Sequence, residues 1–575
     1  MVLGFALFHK EDKMKKKLKV ILFIIKFVIV WLTLFILSVN TVFSNDEFMP
    51  LSEVKPGMTG IGKTVFHGTK IEDFGVQIID VMEGEGGINN FILAYLSGEK
   101  IEAGGGISEG MSGSPIYIDG KLVGAVSHAW EMSEHNLCLL TPIQEMLKIF
   151  DLSTKNDKDQ GGSNIFCPTT SSVVVSGLKG RSLNLLSSSL SKYNLKPIQG
   201  TTYGLEKIDL QEVGEASSSR IEAGSAIGIQ LSRGDVNIAS LGTVTYREGD
   251  KILAFGHPFL RKGEVSFLLS SAYIYHSLPN IVMPFKLGAP LNLVGKVTQD
   301  REAGILGEIN AFPFIIPLKI KVDNLDLSLP SSLMQVQLVN DYDLLEPLVS
   351  AITVQAIDNA LDRVGAGTAQ VAIELKDKKK GKYLYRENMY YNSQDIAIQS
   401  ISEIPEIFEA IINNYFEEVN LDQIDIDIKI ESEKKVGRIE EVTLEDSSLK
   451  PGDCLNARIK IKPFREDWIE KTLSIKLPSD MPQGEAWLLI SGGGDFANQR
   501  GIEISTSQEQ KIYKSLDEVC KDITDKPKGN QIIGEIKVYS KELSSDEEIG
   551  DSLISKIETN MVIEGYQEIS FTVEQ

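Results

Sequence analysis

The chain has 575 residues, of which 42% are hydrophobic and 24% charged, a composition typical of a folded globular protein. It is too long for a single hydrophobic core, so we expect about three or four domains. Its 58 basic and 80 acidic side chains leave a net charge of −22. This acidity argues against nucleic acid and anionic lipid as partners, because both attract basic surfaces.

The first predicted element is an apolar segment within residues 1–45. Lysines at 15–17 and 19 precede the apolar stretch 20–39, and neutral residues lead on to Ser44. This order is typical of a secretory signal and favours cleavage after Ser44, although about 20 apolar residues would also serve as an uncleaved anchor. Both alternatives place the rest of the chain outside the cytoplasm: periplasmic, secreted or held to the membrane through this segment alone.

The remaining chain predicts a mainly β protein with a few helices. In residues 46–150, β-branched and aromatic residues alternate with glycine turns, which predicts short strands. Residues 151–199 predict a polar linker that contains a helix. Strand patterns return over residues 200–325. Residues 326–435 predict a mixed α/β module, and residues 436–575 have the strand spacing of a β-sandwich.

Cysteines and histidines show no metal-site spacing. The sequence allows disulfides Cys138–Cys167 and Cys454–Cys520, which is one of the three connectivities of four cysteines. No Cys-x-x-Cys pair occurs, and the six histidines are scattered without the spacing of zinc ligands. We therefore expect neither a metal nor an organic cofactor.

One glycine-rich stretch, residues 105–130, has the composition of a catalytic turn. Gly110-Met111-Ser112-Gly113-Ser114-Pro115 precedes two short apolar runs joined by Asp119-Gly120, a strong hairpin signal. A nucleophilic serine needs a tight turn that exposes its hydroxyl and directs neighbouring N–H groups at the developing oxyanion. The pattern resembles the Gly-x-Ser-Gly-x-Pro turn of chymotrypsin-like peptidases. It indicates Ser112 as nucleophile, with the N–H groups of Gly110 and Ser112 as oxyanion donors. The alternative is a glycine-rich turn kept for packing in a β-barrel.

A serine nucleophile needs a base, and histidine is the usual one. His257 follows an apolar strand, between Gly256 and Pro258. His67 also stands at a strand end, and His128 and His135 follow the Ser112 hairpin. Each of them, taken alone, is also compatible with a surface or capping histidine.

Residues 105–130 and the segment LGTVTYREGDKILAFGHPF, residues 241–259, resemble the SpoIVB-type (stage IV sporulation protein B) serine peptidases. The resemblance extends over about residues 51–307 and implies Ser112 as nucleophile and His257 as general base. It also implies a chymotrypsin-like double β-barrel, with one half over 46–150 and the other over 200–325.

The sequence departs from that family in three ways. The histidine segment here follows the serine segment by 145 residues instead of preceding it. No aspartate stands where the family has its acidic partner, so Asp300 and Asp80 are the candidate replacements. No PDZ-like segment is recognisable. A catalytic site is defined by geometry and not by chain order, so the first departure is compatible with activity.

The sequence thus predicts an exported serine endopeptidase that acts on a protein or peptide and is either self-processing or involved in signalling. The C-terminal modules suggest an envelope protein as a further partner. The alternative is a non-catalytic exported binding or scaffold protein built on an inactive peptidase-like domain.

Overall fold

The structure, a computed structural model, describes residues 47–82, 90–152, 172–193, 195–200, 220–327, 329–378, 381–497, 512–538 and 553–574. The predicted signal or anchor segment, Cys167 and the polar part of the linker lie outside these ranges. Within these ranges, no helix has both the length and the apolar character needed to span a membrane.

The N-terminal strands form a closed six-stranded barrel. Its elements are β1 (Thr59–Val65), β2 (Ile71–Met82), β3 (Phe91–Ser97), α1 (Glu99–Ala103), β4 (Pro115–Ile118), β5 (Lys121–His128), β6 (Leu137–Pro142) and α2 (Ile143–Asp151). The strands pair antiparallel in the order β1-β2-β3-β6-β5-β4, and β4 pairs with β1 to close the barrel. Asp119 and Gly120, at φ 50° and 79°, turn the chain between β4 and β5, which confirms the predicted hairpin.

The described residues between this barrel and the next form β7 (Ser172–Ser176), α3 (Gly180–Leu190), a short 3₁₀ helix (Ser191–Tyr193) and β8 (Lys196–Gln199). Strand β7 pairs parallel with β8 and antiparallel with a strand of the second barrel, so this segment extends that sheet. Helix α3 lies within residues 151–199, the range for which the sequence predicts a linker with a helix.

The second barrel is built from six further strands. They are β9 (Ala226–Gly234), β10 (Asn237–Glu248), β11 (Lys251–Ala254), β12 (Gly263–Leu278), β13 (Phe285–Arg301) and β14 (Gly304–Ile309). They pair in the order β9-β12-β13-β14-β11-β10, and an additional β9–β10 pairing joins the two ends into a ring. The mainly β double barrel implied by the resemblance is therefore confirmed.

The sheet continues beyond this barrel on one side. The elements that follow are β15 (Ile315–Asn324), β16 (Ser332–Val339), α4 (Tyr342–Leu361), β17 (Gly367–Asp377), β18 (Gly381–Asn392), α5 (Ile396–Ser400), α6 (Ile404–Ile412) and β19 (Leu421–Glu431). Strand β16 pairs with β9 and β15 pairs parallel with β19, so these strands belong to one 13-stranded sheet with the second barrel. The predicted boundary at residue 325 falls inside that sheet.

The C-terminal strands form two sheets that share one core. The elements are β20 (Val436–Leu444), β21 (Ser448–Leu449), β22 (Cys454–Pro463), β23 (Ile469–Lys476), β24 (Gly484–Gly492), α7 (Leu516–Asp525), β25 (Gln531–Val538), β26 (Leu553–Glu558), β27 (Val562–Glu564) and β28 (Tyr566–Val573). A four-stranded sheet and a five-stranded sheet contribute buried aliphatic residues such as Ile459 and Leu488 to the same cluster. This is the predicted β-rich, sandwich-like module.

Two apolar clusters hold the barrels together. One joins β1 to the second barrel through Val65, Leu241 and Ile274. The other packs α2 against β11 and β14, and it includes Met146, Leu253 and Leu306. Each fully buried aliphatic side chain contributes about 1.5–3 kcal/mol, so the junction between the barrels is a stable part of the fold.

The possible Cys454–Cys520 disulfide is not formed. Cys454 is exposed, whereas Cys520 is buried on α7 in the core of the 13-stranded sheet. Helix α7 therefore packs against the 13-stranded sheet although it lies between two strands of the sandwich in sequence, and Cys520 is separated from Cys454 on β22. The sequence spacing did not reveal this separation. Cys138 is buried in the first barrel and is also a thiol in the structure.

Candidate active site

Ser112 lies in a tight turn between α1 and β4. Gly110 and Gly113 have φ values of 92° and 90°, a region that glycine adopts without steric cost. The N–H of Met111 donates to the Ser108 carbonyl at 2.9 Å, and the N–H of Ser114 donates to the Met111 carbonyl at 2.9 Å. The Ser114 hydroxyl also donates to that carbonyl, at 2.6 Å. The glycines thus allow a compact turn with little freedom of its own.

The same turn is bound to β10 of the second barrel. The N–H of Thr243 donates to the Ser112 carbonyl at 2.8 Å. The Thr243 hydroxyl donates to the Gly110 carbonyl at 3.1 Å, and the Thr245 hydroxyl donates to the Gly113 carbonyl at 2.8 Å. Three carbonyls of the turn, those of Gly110, Ser112 and Gly113, therefore accept hydrogen bonds from the other barrel, which fixes the backbone around Ser112.

His257 stands just beyond the end of β11. Phe255 and Gly256 take φ values of 69° and 68°, which turn the chain sharply before the histidine. A phenylalanine at positive φ is unusual, and such conformations concentrate at functional sites. Nδ1 of His257 lies 2.7 Å from the Pro258 carbonyl. Because a carbonyl only accepts, Nδ1 carries the ring proton and Nε2 is the basic nitrogen.

The Ser112 turn and the His257 segment are in backbone contact. A Cβ built on Gly113 would lie closer than 3.0 Å to the Phe255 nitrogen, so only glycine permits this approach. The Val126 carbonyl accepts from the Gly113 N–H at 2.7 Å and lies 3.1 Å from a Cβ built on Gly256. The segments that carry Ser112 and His257, 145 residues apart in sequence, therefore meet at the junction of the barrels.

The turn also offers a donor to a ligand. Within the described part of the chain, no group accepts a hydrogen bond from the N–H of Gly110. The N–H groups of Met111, Gly113 and Ser114, in contrast, all donate to carbonyls. An N–H without an internal acceptor, two residues before a serine hydroxyl, can stabilise negative charge on a substrate oxygen.

Burial keeps the histidines of the site neutral. His257 is 1% exposed, and this burial lowers its pKa to about 4. The His128 ring centroid lies 5.9 Å from that of His257, and burial together with this neighbour lowers the pKa of His128 to about 3. A neutral imidazole is the form that can take a proton, so His257 is in the basic form across the neutral pH range.

The candidate acids lie elsewhere. Asp300 lies beneath the His257 segment, and its oxygens accept from the N–H groups of Phe259 and Leu260, both at 2.7 Å. It holds the loop after His257 and is not a hydrogen-bond partner of the imidazole. Burial raises its pKa, opposed by these backbone donors. Asp80 is exposed on β2 and accepts from its neighbour Val81.

The other histidines divide into two groups. His67 is exposed and lies near Tyr273, while His135 reaches the Ile281 carbonyl at 3.1 Å. His128 is buried beside His257, contrary to the interpretation of it as a surface or capping residue. Its place at the end of β5, after four apolar residues and Ser127, was a signal of burial that the sequence offered.

A cavity of about 730 Å³ lies at another part of the barrel junction. Its lining comes from both barrels and includes Lys70, Lys100, Arg220 and Ser271, but neither Ser112 nor His257. Among the described residues, no group of three His, Cys, Asp or Glu side chains is arranged to hold a metal ion.

The buried histidine gives a testable pH dependence of stability. The pKa of His257 is 6.5 unperturbed and about 4 when folded, so between these pH values the unfolded chain binds more protons. Folding stability from this residue is complete above pH 6.5 and falls by about 3 kcal/mol as the pH drops to 4. Calorimetry from pH 6.5 to pH 4 should show the free energy of unfolding of the wild type falling by this amount relative to that of His257→Gln. If the difference in free energy of unfolding between the two proteins does not change with pH, His257 is not buried in its neutral form.

Comparison with known proteins gives one match. Residues 41–146 match the model of the family described as SpoIVB peptidase S55. The match includes the Ser112 turn and ends before the second barrel. No curated protein and no solved structure matches the chain. The first barrel of this chain is therefore similar to the SpoIVB-type serine peptidase domain.

Proposed function

We propose that the chain is a serine endopeptidase with Ser112 as nucleophile and His257 as general base. The observation that supports this most strongly is the contact between the Ser112 turn and the His257 segment across the two barrels. The family match supports the serine peptidase class. The individual residue roles are argued from the geometry around them.

The proposed reaction proceeds through an acyl-enzyme. The Ser112 hydroxyl attacks the carbonyl carbon of a peptide bond while Nε2 of His257 takes the hydroxyl proton. The N–H groups of Gly110 and Ser112 hold the resulting oxyanion. The imidazolium then gives its proton to the leaving amine as the C–N bond breaks. A water molecule, deprotonated by His257, releases the acyl group and restores the serine.

The Pro258 carbonyl takes the place that an aspartate has in a triad. It accepts the Nδ1 proton and so sets the tautomer and orientation of the ring. A neutral carbonyl stabilises imidazolium less than a carboxylate does, and we therefore expect a slow peptidase. Asp300 supports this arrangement indirectly, by fixing the backbone of Phe259 and Leu260.

Export belongs to the same proposal. The charge and hydropathy pattern of residues 1–45 supports transport out of the cytoplasm, followed by cleavage after Ser44 or by retention as an anchor. The C-terminal sandwich is a candidate surface for an envelope protein partner. Cleavage of the chain itself near Ser153 is a further candidate activity, and it would be absent in a Ser112→Ala protein.

The proposal is tested by hydrolysis. We expect the purified chain to cleave quenched fluorescent peptides or an unfolded protein, and Ser112→Ala to abolish this activity. Ser188→Ala changes an exposed helix serine, whose hydroxyl donates to the Asn184 carbonyl, and should leave the activity intact. Equal cleavage by wild type and Ser112→Ala would contradict the assignment. A folded wild type that cleaves none of a diverse library would favour the non-catalytic scaffold alternative.

A further inference from the structure

Lys286 is a buried lysine at the start of β13, close to the candidate oxyanion site. It is 3% exposed, and its amine donates to the Thr64 hydroxyl at 2.7 Å. Thr64 is itself fully buried on β1. Among the described residues, the Lys286 amine takes part in no ion pair. Buried lysines are rare unless paired, so this one calls for an explanation.

A chain of hydroxyl groups connects this amine to the Ser112 turn. The Thr64 and Thr243 hydroxyl oxygens lie 3.5 Å apart, and Thr243 donates to the Gly110 carbonyl at 3.1 Å. Because the Thr243 proton is used at Gly110, the proton between the two threonines comes from Thr64. The donors therefore all point the same way, from the Lys286 amine towards Gly110, and such chains polarise one another.

The backbone of Lys286 contacts Gly110 from the other side. The N–H of Lys286 donates at 2.9 Å to the Glu109 carbonyl, which belongs to the same peptide group as the Gly110 N–H. The N–H of Glu109 donates at 2.8 Å to the Pro284 carbonyl. A Cβ built on Gly110 would lie 3.2 Å from Cβ of Lys286. Lys286 thus binds one of the two peptide groups that flank the Gly110 Cα directly, and it reaches the other through the hydroxyls of Thr64 and Thr243.

The charge state of the amine changes near neutral pH. Burial lowers the pKa of Lys286 to about 7, so the amine is an ammonium below this pH and neutral above it. The adjacent titratable group of the Ser112 loop is Glu109, whose backbone carbonyl accepts from the N–H of Lys286. Burial raises the pKa of Glu109 to about 8, and the charged groups that act on its carboxyl are Lys196 and Glu131. On β1 and β12 the adjacent titratable groups are Lys63, whose amine lies over the Tyr117 ring, and His276, which is exposed.

We propose that Lys286 is a positioning residue for the oxyanion hole, holding the Gly110 amide in place from both sides and, as an ammonium, adding positive charge behind it. The inference rests on the proposed function. It predicts that oxyanion stabilisation is strongest while the amine is charged and weakens as the amine loses its proton. Lys286 touches neither substrate nor Ser112 in this account, and it acts through Gly110.

The test is the pH dependence of the reaction of Ser112 with a fluorophosphonate, followed as a second-order rate constant from pH 5 to pH 9. Wild type should react about tenfold faster at pH 6 than at pH 9. Lys286→Met, which keeps the length of the stem, should be about tenfold slower at pH 6 and lack the alkaline decline. Thr64→Val is an isosteric change that removes one hydrogen bond. Its second-order rate constant at pH 6 should be about two- to fivefold lower than that of the wild type.

Thr353→Val is the matched control, because Thr353 is a fully buried threonine of α4 that bonds only within its helix. It should react like wild type at every pH. A wild-type rate and alkaline decline in both Lys286→Met and Thr64→Val would overturn the inference while leaving the proposed function standing. If Lys286→Met fails to fold, an unchanged rate and pH profile in Thr64→Val alone overturns it. A folded wild type that never reacts would overturn the proposed function and this inference together.

Discussion

His257→Gln is expected to slow the reaction of Ser112 with a fluorophosphonate by a factor of roughly 10²–10⁴ at pH 7. Glutamine has similar length and forms hydrogen bonds, but it cannot take the serine proton. The loss should be in the rate of bond formation and not in folding, because an amide replaces a ring that is neutral at this pH. Intact-mass spectrometry over time gives the rate constants of both proteins.

His128→Gln separates this result from a general effect of changing a buried histidine. His128 is buried beside His257 and has an even lower pKa, of about 3. We expect a loss well below that of His257→Gln, since His128 supports the ring of His257 from one side. Full activity in His257→Gln with loss in His128→Gln would move the role of base to His128.

Gly113→Ala is expected to destabilise the barrel junction and to remove most of the Ser112 reactivity. Gly113 has φ 90°, and a Cβ there would lie closer than 3.0 Å to the Thr243 carbonyl oxygen as well as to the Phe255 nitrogen. Both atoms are backbone, so neither can move aside without shifting a strand of the second barrel. The left-handed backbone and the overlap together cost about 3 kcal/mol or more, and calorimetry should show a melting temperature lower by roughly 5–10 °C.

Gly120→Ala is the control for the cost of placing alanine in a left-handed backbone conformation without any steric overlap. Gly120 has φ 79° in the β4–β5 turn, and a Cβ there would meet no atom within 4 Å. Gly120→Ala should lower the free energy of unfolding by only about 1–2 kcal/mol and leave the reactivity of Ser112 unchanged. Equal melting temperatures and equal reactivity for the two alanine variants would show that the close approach of Gly113 to the second barrel is unimportant.

The local patterns were the predictable part of this protein. The Asp119-Gly120 turn, the glycine-rich Ser112 turn and helix α3 each depend on residues that are neighbours in sequence. The apolar residues before His257 likewise predicted a strand. The double barrel followed from the resemblance of two segments, and the additional β9–β10 pairing that closes the second ring is consistent with it.

The less predictable part is carried by contacts between distant segments. Thr243 and Lys286 hold the Ser112 turn from 131 and 174 positions further along the chain. Thr243 lies in the segment that carries the family resemblance, but nothing in that pattern indicated its bond to the turn, and Lys286 stands in no recognised motif. Asp300 was singled out as an acid, but its oxygens bind backbone N–H groups of the His257 loop. Which of these roles an aspartate takes is decided by burial and by the path of the loop, and sequence spacing reveals neither.

The proposed activity depends on Ser112 as an activated nucleophile with His257 as its base. The most direct measurement is to label the purified protein with a fluorophosphonate and to locate the adduct by peptide mass spectrometry, beside Ser112→Ala and His257→Gln. We expect a single adduct on the peptide that contains Ser112, no adduct in Ser112→Ala and strongly slowed adduct formation in His257→Gln. An adduct on another residue, or none on a folded wild type, would contradict it.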